Sequence, residues 1–300
     1  MSGSRIKQAI LFVNLKKENA SKLADEITGE LRCRGIEATN YHFEEKSKPG
    51  VDYDVAFSVG GDGTVLYATR IMAPLGVPVL PINQGTLGFI AAVHPQKWKI
   101  YFDSWLEGKA ALSKRLMLEA FVKRGDREIF RMSCLNDIVI SASGNARMIR
   151  LQVYTNIGNS KNKLGQYRSD GLIIATPTGS TAYSVAAGGP VMDPEMEAII
   201  INPICPFTLS NRPIVLPAHE TVIVEVEQEQ RSALLLSIDG QVTEPLEPGD
   251  CIFVSPSPKQ AILIASDRFA FYHALRAKLS WMELPGNVYS QKETDGVSNA

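Results

Sequence analysis

The sequence predicts an α/β domain followed by a mostly β domain. Short apolar runs alternate with helical spacings through the first hundred or so of its 300 residues, the pattern of parallel crossovers in a doubly wound sheet. Beyond a helical stretch at Trp98–Leu106 the rhythm changes to closely spaced strand-like runs with Gly-, Pro- and Asp-bearing turns between them, which describes an all-β unit. A hydrophobic content of 45% with 21% charged residues is enough to fill more than one core.

Each element has its own warrant. Ala9–Val13 is a compact apolar strand. Leu23, Ile27 and Leu31 recur on one face of a helix, and Gly35 suits the position just past its end. Ile36–Tyr41 alternates as a strand does. Val55–Val59 is an apolar run that stops at Gly60-Gly61-Asp62-Gly63, and Val65–Met72 resumes with helical spacing. Val77–Ile82 is another strand, followed by Asn83-Gln84-Gly85-Thr86-Leu87-Gly88. In such sheets ligands sit beyond the carboxyl ends of the strands, where both glycine-rich loops fall.

The β part is expected at Leu116–Lys123, Glu128–Ser133, Asp137–Ser141, Met148–Thr155 and Leu172–Thr176. It continues at Pro213–Leu216, Thr221–Glu227, Leu234–Asp239, Cys251–Ser255 and Ala261–Ala265. Phe269–Leu279 is helical again and is expected to pack back onto the first domain. The division is therefore residues 1–110, joined by 266–290, and residues 111–265, with 291–300 a polar tail.

Charge and composition exclude several functions. A net charge of −1 and a pI near 6.5 lack the basic footprint of a nucleic-acid binder. No apolar run approaches the roughly 18 residues of a membrane span, and the start lacks the longer apolar stretch of a signal peptide, so a cytoplasmic location is expected. Cys33, Cys134, Cys205 and Cys251 are scattered, and His42, His94, His219 and His273 never fall at ligand spacing. Free, mostly buried thiols are expected, with no metal held by the protein alone.

Chemistry concentrates in two stretches. Gly60, Gly61 and Gly63 join a strand to a helix, so the backbone can take positive φ and approach a ligand closely. Successive N–H groups there, with Thr64 in the following helical turn, would cradle phosphate. Asp62 is out of place in a pure phosphate cradle, and its side chain has little evident structural work. A carboxylate there makes sense as a base for an attacking hydroxyl or as a Mg²⁺ anchor. The second stretch, Ser169 to Tyr183, ends an apolar strand in a run of hydroxyls and continues to Gly188-Gly189-Pro190. It would suit a purine and its ribose. Asn136-Asp137 could grip a sugar diol. No Gly-x-x-x-x-Gly-Lys-[Ser/Thr] or Gly-x-Gly-x-x-Gly signature occurs.

Together these residues resemble the NAD kinase family. Gly60-Gly61-Asp62-Gly63-Thr64 is similar to its first motif and Asn83–Ile90 to the loop after it. Asn136-Asp137 is similar to its short Asn-Glu/Asp motif, and Asp170 to Pro190 to its long Gly- and Thr-rich motif. Asp239-Gly240-Gln241 falls where the family has its last substrate contact. The resemblance runs from about Ala9 to Trp281. It implies an α/β domain and a β-sandwich with NAD bound between them, a homotetramer or dimer, and transfer of phosphate from Mg-ATP to the 2′-hydroxyl of the adenosine ribose. Mg²⁺ would arrive with ATP. By the same resemblance Asp62 is the proton acceptor, with Gly63 beside it, while Asn136 and Asp137 hold ribose hydroxyls. Arg147, Arg168 and Asp170 contact the dinucleotide. Thr181, Ala182, Tyr183, Ser184, Val185 and Ala186, with Gln241, complete the pocket. Many relatives carry Ser at the position of Ala186 and Arg at that of Tyr67.

Two rival readings meet the same residues. A lipid kinase shares the first motif, but it would want an apolar cleft or a basic membrane-facing surface. A regulator that binds NAD without turnover would have no need of Asp62.

Overall fold

The computed structural model describes residues 6–279 apart from 18, 43–49, 51, 87, 145–147, 158–159 and 209. The expected tail at 291–300 and the part of the return segment beyond 279 lie outside the described residues.

The first domain is built on strands β1 (Gln8–Val13), β2 (Glu37–His42), β3 (Val55–Gly60) and β4 (Val79–Asn83), all mutually parallel. Strands β1 and β3 are buried almost throughout, as expected of parallel strands covered on both faces. Helix α1 (Ala20–Cys33) lays Leu23, Ile27 and Leu31 on one face of the sheet. Its chain reverses through Gly35 at φ 74°, the left-handed turn foreseen from the sequence. Helix α3 (Trp98–Leu106) joins that layer through Trp98 and Phe102. Helix α2 (Asp62–Met72) covers the opposite face, and its core of Val65, Leu66, Ala68 and Met72 also meets Met117 and Leu135. Thus α2 lies between the first sheet and the second domain, and its first residue is Asp62.

The second domain is a β-sandwich. After β5 (Leu112–Arg115) come β6 (Leu118–Arg124), β7 (Arg127–Cys134), β8 (Asp137–Ala142), β9 (Ile149–Ile157), β10 (Ser160–Ser169) and β11 (Gly171–Ala175). Then follow β12 (Ala198–Ile204), β13 (Ile214–Pro217), β14 (Thr221–Val226), β15 (Leu234–Ile238), β16 (Val242–Leu246), β17 (Cys251–Pro256) and β18 (Ala261–Ile264). One sheet runs β10-β9-β14-β17-β6-β7 and the other β13-β12-β11-β8-β15-β16. Leu118, Leu151 and Val254 of the first interleave with Ile140, Ile174 and Leu236 of the second in one buried core.

The sheet pairing departs from the expected division at 110/111 and 265/266. Strand β18, anticipated as part of the β unit, pairs parallel with β4 and antiparallel with β5, completing the first sheet as β2-β1-β3-β4-β18-β5. The physical reason is burial: Leu263 and Ile264 find their apolar partners in the two layers of the α/β domain. Four strands were not foreseen. Strand β5 is short and alternates exposed with buried residues. Strand β10 is a mostly polar edge broken by a bulge between Lys163 and Gly165. Strands β12 and β16 each carry a proline, Pro203 and Pro245, that argues against a strand when only sequence is read.

Helix α4 (Tyr183–Ala186) is a single turn after β11, and helix α5 (Arg268–Leu279) returns to the first domain with Phe271, Ala274 and Leu275 buried. Among the described residues no helix is long and apolar enough to cross a membrane. All four cysteines are free, but only Cys134 is buried; Cys33 and Cys205 are exposed, against the expectation of mostly buried thiols.

Candidate active site

The first glycine loop follows β3 directly. None of Gly60, Gly61 and Gly63 has a positive φ, so the expected positive-φ nest is not how the loop works. Gly60 is required by close approach, since a Cβ there would collide with the Thr64 hydroxyl. Around Gly61 nothing lies within 4 Å of where a Cβ would stand. The chain enters α2 at once, with Gly61 extended as the N-cap and the Thr64 N–H bonded to the Gly61 carbonyl at 2.9 Å. The first N–H groups of a helix have no acceptor within it and carry partial positive charge. The partial positive charge at this loop comes from that helix end.

Asp62 is the first helical residue, and its carboxylate is not idle. Oδ2 accepts from the Phe89 N–H at 2.9 Å, while Oδ1 accepts from those of Ile90 at 3.1 Å and Ala91 at 2.8 Å. The expectation that this side chain has little structural work is corrected: it pins the second glycine loop to the first. Gly88 is needed for this contact, because a Cβ there would collide with the same carboxylate. A carboxylate offers about four acceptor positions. Three are taken, two on Oδ1 and one on Oδ2, so the remaining one is on Oδ2.

Across the domain boundary a hairpin turn completes the cluster. Asp239 and Gly240, between β15 and β16, both adopt left-handed conformations at φ 52° and 63°. The buried Asp239 carboxylate accepts from the N–H groups of Leu135, Asn136 and Asp137 at 3.2, 2.8 and 3.3 Å. Arg70, in the last turn of α2, donates to Asp239 at 3.3 Å and to Gln241 Oε1 at 2.6 Å. Gln241 Nε2 donates to the Gly63 carbonyl at 2.7 Å. A continuous hydrogen-bonded path therefore joins the Asp62 loop to Asn136-Asp137. Sequence reading missed Arg70 and the anchoring role of Asp239, because neither stands out by type or spacing. Tyr67, where many relatives carry Arg, lies under the Arg70 guanidinium, 5.8 Å from ring centre to cation.

The long motif arrives on the same side. Thr176, just past β11, bonds through its N–H to the Asn136 carbonyl at 2.9 Å and through its hydroxyl to the Leu135 carbonyl at 2.5 Å. Gly179 presses on the Asn136 carbonyl so closely that a Cβ would collide with it. The Tyr183 backbone N–H supports the Asp137 carboxylate, and the Tyr183 ring is exposed. Thr181, Ala182 and Val185 are half-buried beside it and Ala186 is exposed. Ser184 turns inward instead: its hydroxyl and carbonyl face the Asn202 amide at 3.3 and 2.9 Å. Arg168 is exposed and Asp170 half-buried at the far end of β11 from Asp137, since Gly171 pairs with Ser141 and Ala175 with Asp137. The structure does not bring those two into the Asp62 cluster. Arg147 lies outside the described residues.

Buried polar atoms that find no partner among the described residues flank the cluster on both sides. They are Ser58 Oγ, Thr64 Oγ1 and Asn83 Oδ1 by the glycine loops, and Asn136 Oδ1, Thr178 Oγ1 and Asn202 Oδ1 by the long motif. Natural proteins rarely leave such atoms unsatisfied, and ligands or waters usually meet them. Burial first, and then the neighbouring Asp239 carboxylate, push Asp137 up to about 7; burial also raises Asp239. Among the described residues no group of three or more His, Cys, Asp or Glu could hold a metal ion. Asp62 fits a cation that brings most of its own oxygen ligands, offering one free carboxylate position.

A glycine-capped helix end and a fixed carboxylate on an α/β domain, joined by hydrogen bonds to Asn136-Asp137 on a sandwich, make the layout of a two-domain phosphotransferase. Models of the ATP-NAD kinase N-terminal and C-terminal domains match residues 4–110 and 135–266. An NAD kinase of Treponema denticola is 42% identical over 279 residues, covering 92% of this chain and 97% of that protein. The chain belongs to the ATP-NAD kinase family. Its fold is that of yeast NADH kinase complexed with NADH, with a TM-score of 0.82 at 23% identity over 97% of this chain and 91% of that one. It is similarly that of an Archaeoglobus fulgidus NAD kinase in complex with ATP, with a TM-score of 0.72 at 24% identity over 91% of this chain and 99% of that one.

Two outcomes follow from this geometry. Gly88→Ala displaces the Asp62 carboxylate and should lower turnover by at least tenfold, of the order expected for a misplaced reacting group. Gly61→Ala meets open space, so it should leave the melting temperature unchanged and act, if at all, on the KM for the phosphoryl donor. Calorimetry and steady-state kinetics on both variants check this. Asp137 takes its proton near pH 7 when folded but near 3.9 when unfolded. The folded state thus binds more protons in that window, and stability falls as pH rises through it. Asp137→Asn should stabilise the protein at pH 8, by on the order of 1 kcal/mol or more, and change little at pH 4. Equal shifts at both pH values would contradict the assignment.

Proposed function

We propose that this chain phosphorylates the 2′-hydroxyl of the adenosine ribose of NAD with Mg-ATP, yielding NADP and ADP. One observation carries the reading. The fixed Asp62 carboxylate stands at a helix N-terminus and is joined through Gly63, Gln241 and Asp239 to Asn136-Asp137.

A ribose hydroxyl is a weak nucleophile at neutral pH, so positioning and charge stabilisation must lower the barrier. Asn136 and Asp137 hold the ribose hydroxyls, the Asn136 Oδ1 being without a partner among the described residues. The free position on Asp62 Oδ2 takes the 2′-hydroxyl proton as the oxygen attacks the terminal phosphorus. The N-terminal N–H groups of α2 meet the phosphate charge. A divalent cation arriving with ATP would supply neutralisation of the triphosphate charge. The exposed Tyr183 ring offers an aromatic face to a base. Thr181, Ala182, Val185 and Ala186 border the same pocket, and Ser184 contributes through its backbone because its hydroxyl is turned inward.

The reading includes a homo-oligomer, dimer or tetramer, and a cytoplasmic location. Arg168 and Asp170 favour the former: they sit at the opposite end of β11 from Asp137, open to a dinucleotide bound by a second copy. A lipid-kinase reading has no comparable support, since the buried atoms left without partners among the described residues around Asp62 and Asn136 are polar.

Asp62→Asn keeps the side chain's size, can still accept from Ile90 and Ala91 through Oδ1, and removes the base together with the acceptor for Phe89. It should lower kcat by roughly 10²–10⁴-fold, with KM for NAD within about twofold in an NADP-coupled assay. If the same carboxylate chiefly anchors the cation, added Mg²⁺ should instead restore part of the rate. Near wild-type turnover would refute the mechanism. Wild-type turnover itself should vanish on chelation and return with Mg²⁺, since only one or two carboxylates are needed beside substrate phosphates.

A further inference from the structure

We propose that Ser266 and Arg115 are positioning residues for the transfer, holding the Phe89–Ala91 loop against Asp62. This rests on the reading of Asp62 as proton acceptor.

The two sides of Ile90 show how. Its N–H donates to Asp62 Oδ1 at 3.1 Å, and its carbonyl accepts from the Ser266 hydroxyl at 3.3 Å. Ser266 is 1% exposed and follows β18. Its carbonyl and hydroxyl oxygens both accept from Arg115 Nη2, at 2.6 and 3.4 Å. The serine hydroxyl therefore receives from the guanidinium and gives to the loop, a directed relay from Arg115 through Ser266 and Ile90 to Asp62.

Arg115 ends β5 and is itself 1% exposed. A purely structural core would be poorly served by this residue. Burying a cation is costly unless it is well paired, yet Arg115 Nε has no hydrogen-bond partner among the described residues. Burial pulls the guanidinium down to about 10, so it stays charged at neutral pH, with Glu195, Asp193 and Asp267 offsetting part of the cost. Such an expense is reasonable where a fixed geometry is needed.

A second arm grips the same loop. Phe89 packs against Phe271 of α5 at 6.4 Å between ring centres, with the Lys278 ammonium 4.8 Å above its ring. Helix α5 also reaches the long motif: Arg268 and Tyr272 bond to Asp193 at 2.7 and 2.9 Å, and the adjoining Met192 N–H bonds to Ser180 at 3.0 Å. Ser266 thus stands where the strap that returns to the first domain begins, touching the loop that holds the base.

The test is a double-mutant cycle on the full chain, with kcat measured at saturating NAD and Mg-ATP well below each variant's melting temperature. Ser266→Ala should lower kcat by about tenfold, less than the roughly 10²-fold attached to a misplacement of about 1 Å. KM for both substrates should stay within about twofold of wild type. In an Asp62→Asn background the same change should lower kcat by less than twofold, because its effect passes through the base. Arg115→Lys, which keeps charge but loses the fork, should fall in the same direction and show the same non-additivity. Ser266→Ala with kcat within twofold of wild type, an effect on KM alone, or an equal loss in both backgrounds would each overturn the inference. A wild-type chain that makes no NADP would instead defeat the underlying reading of function.

Discussion

Three backbone N–H groups converging on one carboxylate hold this site together. Hydrogen bonds to a charged group are worth roughly 1.5–3 kcal/mol each, and a buried donor left without its acceptor costs a similar amount. Removing the Asp62 carboxylate would therefore orphan the N–H groups of Phe89, Ile90 and Ala91 together. The two glycine loops, which leave adjacent strands β3 and β4, are joined by this contact into one rigid edge. It explains why Gly88 admits no side chain and why Asp62 belongs in a turn otherwise suited to anions. The carboxylate is fixed by three bonds and open at one position, which is what a positioned base requires.

The second constraint is the clasp between domains. Helix α2 begins at Asp62 and carries Arg70 in its last turn, whose side chain is 10% exposed against an Asp239 carboxylate that is 0% exposed. Asp239 in turn fixes three consecutive N–H groups at the start of β8, orienting Asn136 and Asp137. One helix thus joins the Asp62 loop to the Asn136-Asp137 backbone. A pair so buried adds little net stability over apolar packing; its value here is geometric.

Much of this was legible in the sequence because the informative signals are local. The strand at Val55–Val59, the glycine loop after it and the helix that follows appear where pattern and turn chemistry place them. So does α3 at Trp98–Leu106. The family resemblance rested on the same stretches, and the family comparison agrees with it. What was not legible is what depends on partners distant in sequence. Strand β18 looks like any short sandwich strand, and only its burial between the layers of the first sheet assigns it there. Arg70, Arg115 and Ser266 carry no motif, and Asp239 was read only as part of a substrate contact; the structural roles of all four arise from contacts across 100 residues or more. Ser184 belongs to a ligand motif by sequence, yet its hydroxyl packs on Asn202. The expectation of positive φ at Gly60 to Gly63 failed for a related reason. Glycine signals either conformation or proximity, and sequence alone does not say which.

The account stands on the Asp62 carboxylate as the anchor of the second loop, and amide hydrogen exchange reads that directly. In the wild-type chain the N–H groups of Phe89, Ile90 and Ala91 should exchange slowly, as bonded groups do. In Asp62→Ala, at matched pH and with global stability measured in parallel, these three should exchange at least tenfold faster, the equivalent of about 1.4 kcal/mol, while amides of β1 and β11 keep their protection. Unchanged protection at Phe89, Ile90 and Ala91 would contradict the account, because the loop would then be held without the carboxylate.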